Sequence, residues 1–257
     1  MPHAGILAAN PDGAAQCFLT YCRLGAERLG GHLYPDITLD YIAFGHTMRA
    51  WERGDVDAVH ANIARSVDRL AGAGAEFFVC PDNNMHLVLD DMADLALPGI
   101  HIAEAVAGEA AAAGARRVGL LGSAFILGSD LYPRWLGARD IEVEAPTGAD
   151  RERLQRTVLE ELPGGEPTDD TRSWCLDLVG RLAERGCDAV ALVSTELHTL
   201  LPPEDSPLPI IDSATALGRR TIELALGDVP LPAWRGGVHC PPPHPHDVDG
   251  VAPECAP

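Results

Sequence analysis

Two stretches of the chain decide the fold: VDRLAGAGAEFFVCPDNNMH (67–86) and VGRLAERGCDAVALVSTELH (179–198). They align at one offset, 112 residues, the separation of Gly74 from Gly186. Val67, Arg69, Leu70, Ala71, Gly74 and His86 fall on Val179, Arg181, Leu182, Ala183, Gly186 and His198, and the acidic Glu76 falls on Asp188. Each stretch reads as an amphipathic helix, a glycine that ends it, an acidic residue, an apolar strand and a polar turn. Glycine suits the end of a helix because only it adopts the left-handed conformation there without steric cost. Shared glycine and histidine positions at one register mark an internal duplication.

Outward from this pair, short apolar runs at 4–8, 75–80, 99–103, 117–122, 187–193 and 208–212 read as buried strands. Helical patterns lie between them at 12–29, 55–73, 104–114, 149–162, 172–185 and 214–226, and Gly114 caps a third helix. Strands spaced by helices form parallel sheets. The expected fold is α/β: two similar, pseudo-twofold related lobes, each a short parallel sheet flanked by helices, with the active site in the cleft between them. The expected boundaries are 1–102 plus 209–230 for the first lobe and 103–208 for the second. Residues 231–257 are expected to form a disordered tail rich in Pro and His. His239, Cys240, His244 and His246 in that tail can be read as metal chelators or as part of a flexible segment, and the flexible reading is preferred.

Composition excludes several classes. The chain has 257 residues, of which 38 are acidic and 19 basic, for a net charge of −19. Such a surface repels phosphate backbones, so nucleic acid is not an expected partner. It offers no polybasic patch for anionic membranes, and no apolar run of spanning length occurs. All 19 basic residues are arginine. Without lysine there is no Schiff base for pyridoxal phosphate and no P-loop. The seven cysteines form no CxxC pair, which argues against a zinc ribbon or a disulfide framework. The N-terminal MPHAGILAAN does not read as a signal peptide, so the expected location is the cytoplasm.

Ligands of parallel α/β folds sit beyond the carboxyl ends of the strands. The turns there are Asp82-Asn83-Asn84 and Ser194-Thr195-Glu196, and in the duplicated register Asp82 faces Ser194. Two groups on opposite sides of one molecule suit removal of a proton from one face and its return to the other, the geometry of racemisation and epimerisation.

With these turns the chain resembles the aspartate/glutamate racemase superfamily, and within it the aspartate racemase branch. The resemblance spans about residues 4–226 and is strongest over PGIHIAEAVAGEAAAAGARRVGLLGSAFILGSDLYPRWL (98–136). It implies an enzyme without a cofactor, a small carboxylate-bearing substrate and a homodimer. The family's two catalytic cysteines stand before Asn-Thr and before Thr-Glu; here Asp82 and Ser194 occupy those places. The family's Gly-Gly-Met loop is Ala8-Ala9-Asn10-Pro11, and a family threonine stands as Ile126. Arg49, in GHTMRAW, matches an arginine that holds a substrate carboxylate, and Gly122-Ser123 keeps a small polar pair for the same task. The second cation used for dicarboxylates, a lysine, is replaced in ELPGGEP by Gly165 or Glu166.

The expected catalytic set is Asp82 as base, with Ser194 opposite it and assisted by water or His198. Burial raises a carboxyl toward the range useful for general base work. Arg49, Asn83, Asn84, Ser123 and Thr195 are the expected substrate binders. His86 and His198 can each be proton donors or structural histidines at the starts of helices, and Asp212 a site carboxylate or a helix cap. Cys80 is read as a core residue. The leading function is an amino-acid racemase or epimerase with an altered acid–base pair. The alternatives are a decarboxylase or other lyase of the same superfamily, and a pseudoenzyme that binds a carboxylate without turning it over.

Overall fold

The computed structural model describes residues 1–31, 33–162 and 167–232, together with Trp234. The chain divides into two compact units. The first comprises Met1–Pro81, Val88–His101 and the chain from Gly218; the second comprises Asp82–Leu87 and Ile102–Leu217.

The first unit carries β1 (Ala4–Ala8), α1 (Pro11–Leu29), β2 (Ile37–Tyr41), α2 (Phe44–Glu52), α3 (Val56–Gly72), β3 (Phe77–Val79) and β4 (Gly99–Ile100). A short helix, α4 (His86–Leu89), precedes β4. The sheet order is β2-β1-β3-β4, with every pairing parallel. β1 is buried along its whole length, as a central strand covered on both faces must be. Asn10 starts α1 by accepting from the backbone N–H groups of Asp12 and Gly13, with Pro11 in the first turn where its missing donor costs nothing.

The second unit carries α5 (Ile102–Ala112), β5 (Arg117–Gly122), α6 (Ala124–Leu127), α7 (Leu131–Gly137), β6 (Glu142–Glu144), α8 (Gly148–Arg156), α9 (Asp169–Glu184), β7 (Ala189–Val193) and β8 (Ile210–Asp212). α10 (Ser213–Ala225) begins here and continues into the first unit. A π-helical turn, Thr157–Glu161, extends α8. The sheet order is β6-β5-β7-β8, again all parallel. The two sheets thus repeat one topology, strand for strand. Leu121, Leu178, Val179, Leu182, Val190 and Leu192 pack together in the second core.

The matched acidic residues explain themselves structurally. Glu76 accepts from the His3 backbone N–H at 3.0 Å, while its own N–H donates to the His3 carbonyl at 2.8 Å. Asp188 accepts from the backbone N–H of Arg117 at 3.1 Å and donates to the Arg117 carbonyl at 3.0 Å. In each unit an acidic side chain ties the start of one strand to the start of its neighbour. Gly74 and Gly186 both have positive φ, 94° and 88°, as the ends of α3 and α9 require.

Three differences from the sequence reading stand out. β2 and β6 were not expected; both are short, partly exposed edge strands without an apolar run. The expected return to the first lobe at 209 falls inside the second sheet: Ile210–Asp212 pairs with β7, and the chain rejoins the first unit at Gly218. The short apolar run LPII has no feature that assigns it to one sheet or the other. The expected disordered tail begins too early: Trp234 accepts from the Gly99 N–H at 2.7 Å, and its ring meets His101 edge-on at 5.0 Å. An aromatic ring against a buried strand outweighs the polar, Pro-rich context around it. His239, Cys240, His244 and His246 lie outside the described residues. Among the described residues no helix is long and apolar enough to cross a membrane.

Candidate active site

The segment Asp82–Leu87 follows β3 in sequence but packs in the second unit, where most of the expected site residues also lie. Asp82 is 5% exposed. Its carboxylate accepts from the Met85 backbone N–H at 3.2 Å and from that of Asn84, an Asx-type turn that fixes the side chain. Burial pushes its pKa from an ordinary 3.8 up to about 6. The negative charge of Glu196 pushes the same way, against the two backbone donors.

Ser194 follows the last residue of β7, and its hydroxyl donates to Glu196 Oε2 at 2.9 Å. Glu196 thus accepts from Ser194 while its charge acts on Asp82. Thr195 is buried; its carbonyl accepts from His198 Nδ1 at 2.7 Å. A carbonyl can only accept, so Nδ1 carries the proton. His198 also faces the charge of Asp212 at the end of β8. Burial raises the Asp212 carboxyl, while the N–H of Thr215 stabilises its ionised form at 2.7 Å. Asp212 is thus a helix cap that also senses His198.

Asn83 and Asn84 point to different partners. Asn84 is exposed and accepts from the Ser123 hydroxyl at 3.0 Å. Ser123 also accepts from the Ile126 N–H at 3.4 Å as the cap of α6. A Cβ on the preceding Gly122 would lie 2.6 Å from Val193 Cγ2, so only glycine lets β5 reach Ser123 beside β7. Asn83 is buried. Its Oδ1 accepts from the Tyr132 hydroxyl at 2.5 Å and its Nδ2 donates to Ser213 Oγ at 3.0 Å.

Of the remaining expected residues, Arg49 and Cys80 belong to the first unit and His86 to the segment that carries Asp82. Arg49 is exposed on α2 of the first unit. Cys80 is fully buried in the first unit, in keeping with a core role. His86 is fully buried at the start of α4, where its N–H donates to the Asn83 carbonyl at 3.2 Å. Sequence reasoning gave no role to Glu196, Tyr132 or Ser213. Glu196 was visible in the Ser-Thr-Glu turn. Tyr132 and Ser213 carried no signal, because nothing in the order of residues brings them to Asn83. Among the described residues, no group of three His, Cys, Asp or Glu side chains is placed to hold a metal ion.

Comparison with known proteins locates the chain in a family. A candidate Asp/Glu racemase from Yersinia pestis shares 25% identity and superposes with a TM-score of 0.80, over 88% of this chain and all of that one. PH1733 from Pyrococcus horikoshii OT3, an aspartate racemase homologue, shares 27% identity with a TM-score of 0.75 over the same shares. An arylmalonate decarboxylase variant has the same fold at 19% identity and a TM-score of 0.50, over 92% of this chain and 97% of its own. The fold therefore does not choose between isomerase and lyase chemistry. The family model for Asp/Glu/hydantoin racemases matches residues 7–221, and the chain belongs to that family.

Proposed function

We propose that the protein is a cofactor-independent isomerase of the racemase or epimerase type, moving a proton at the carbon next to a carboxylate. One observation carries the reading: a buried carboxyl held at about 6 feels the charge of Glu196, whose carboxylate accepts a hydrogen bond from Ser194. A proton affinity near the working pH is what a general acid–base group needs.

Ionised Asp82 takes the proton from the carbon, leaving a planar, enolate-like intermediate. Ser194, hydrogen-bonded to Glu196, gives its hydroxyl proton to the opposite face and regains one from water. Asp82 passes its proton to the hydroxide so formed, which restores both groups for the next turnover. Asn84, Ser123 and Thr195 supply short polar groups to orient the substrate, a small carboxylate such as an amino acid.

The test is incubation of the protein in deuterium oxide with a panel of amino and hydroxy acids, read by mass and NMR. Deuterium at Cα with loss of optical purity is expected. Carbon dioxide release from a substituted malonate would instead assign a lyase, and binding without exchange would assign a pseudoenzyme.

A further inference from the structure

Asn83, Tyr132 and Ser213 close a ring of hydrogen bonds. The Tyr132 hydroxyl donates to Asn83 Oδ1 at 2.5 Å, and Asn83 Nδ2 donates to Ser213 Oγ at 3.0 Å. The Ser213 side chain completes the cycle to the Tyr132 phenol. All three residues are buried, with Tyr132 and Ser213 at 0% exposure and Asn83 at 3%. In a dry interior such a ring holds one arrangement, because breaking any bond strands two polar groups.

The ring joins three parts of the second unit that are far apart in sequence: the turn after Asp82, α7 and the start of α10. Its member in the turn is the residue next to Asp82. Asp82 itself accepts from backbone N–H groups of the same turn. Whatever fixes the turn therefore fixes the carboxyl.

We propose that Tyr132 and Ser213 are positioning residues that act through Asn83 to hold the Asp82 carboxyl in its buried, proton-accepting orientation. This rests on the reading of Asp82 as the proton-transfer group. It also assigns the Asn83 side chain to the scaffold: its oxygen and one N–H are engaged within the ring.

Tyr132→Phe keeps the ring's shape and removes one oxygen. Cα exchange on the panel member that the wild type turns over should fall about tenfold to a hundredfold, with KM changed less than about threefold, since a small displacement of a reacting group costs on that scale. A readout independent of activity is the titration of the Asp82 carboxyl by carbon-13 NMR, assigned with Asp82→Asn. Loosening the turn admits water, so the midpoint should fall from about 6 toward 3.8. Ser213→Ala should reproduce both effects and serves if Tyr132→Phe does not fold. Tyr132→Phe combined with Asn83→Ala should be no worse than the worse single variant, because both break one ring. Unchanged exchange and an unchanged Asp82 titration in Tyr132→Phe and Ser213→Ala would overturn the proposal. If the wild type exchanges nothing in the panel, the isomerase reading fails, and the carboxyl titration alone decides whether the ring positions Asp82.

Discussion

Asp82→Asn should stabilise the protein while abolishing proton transfer, and the gain should depend on pH in a defined way. The folded-state pKa of Asp82 is raised from 3.8 to about 6, chiefly by burial. A carboxyl raised on folding costs nothing below its unfolded value, because it is protonated in both states. As pH rises from 3.8 to about 6 the unfolded chain loses this proton first, and native stability falls. About one unit above the folded value the loss is complete. A shift of roughly two units at 1.36 kcal/mol each is about 3 kcal/mol. Asparagine matches the shape and cannot ionise, so it escapes this loss while its Oδ1 still accepts from the Met85 N–H. The assay is urea unfolding of both proteins at a series of pH values from 4 to 8, compared at each pH so that all other titrating groups cancel. The stability difference should grow by about 2.5 kcal/mol across that range, with most of the growth below pH 6.5. A difference that stays flat with pH would refute the buried, raised carboxyl and with it the acid–base reading.

Glu196→Gln removes a negative charge that raises Asp82, so the Asp82 titration and the acid limb of the exchange profile should both move to lower pH, and exchange should drop as the Ser194 hydroxyl exchanges a charged acceptor for a neutral one. Gly122→Ala forces a Cβ to 2.6 Å from Val193 Cγ2 and 2.9 Å from the Val193 carbonyl oxygen, so thermal unfolding should show a loss of about 1–3 kcal/mol. Across the substrate panel, exchange should be at least about tenfold faster where an aryl group or a second carbonyl acidifies the carbon than in alanine, with isotope exchange rates as the measure.

The fold was legible where the chain buries both faces of a strand. The runs at 4–8, 117–122 and 187–193 carry no polar residue beyond Arg117 and Asp188 at the starts of the last two, and became β1, β5 and β7 with shifts of two residues at most. The edge strands escaped notice because half of each faces solvent and carries acidic residues, such as Asp40 in β2 and Glu142 and Glu144 in β6. The site was legible at the two turns, since duplication brought Asp82 and Ser194 to one register without any structure. Its partners were not. Glu196 lay in plain view, but a carboxylate two residues after a serine is ordinary until geometry shows it accepting the serine's proton. Tyr132 and Ser213 stand 49 and 130 residues from Asn83, and no local pattern encodes a bond at that range.

On the proposed reading, with a carboxyl as base where the resemblance implies a thiol, the surroundings must act in the opposite sense. A free thiol has a pKa of about 8.5 and must be drawn down to ionise, whereas a free carboxyl near 3.9 must be pushed up to hold a proton at neutral pH. Burial and the charge of Glu196 both push Asp82 in the direction a carboxyl needs, and the backbone donors of Met85 and Asn84 limit how far it goes. The result, about 6, still leaves a base roughly 2.5 units weaker than a free thiolate, or about 3 kcal/mol less favourable for taking a proton from carbon. That deficit has to be met on the substrate side, by a carbon whose proton is more acidic than that of an ordinary amino acid. A buried Asp82 and a graded dependence on substrate acidity are thus two faces of one proton affinity. A racemase that treated alanine and an arylglycine alike would contradict the carboxyl as base, even if it turned both over.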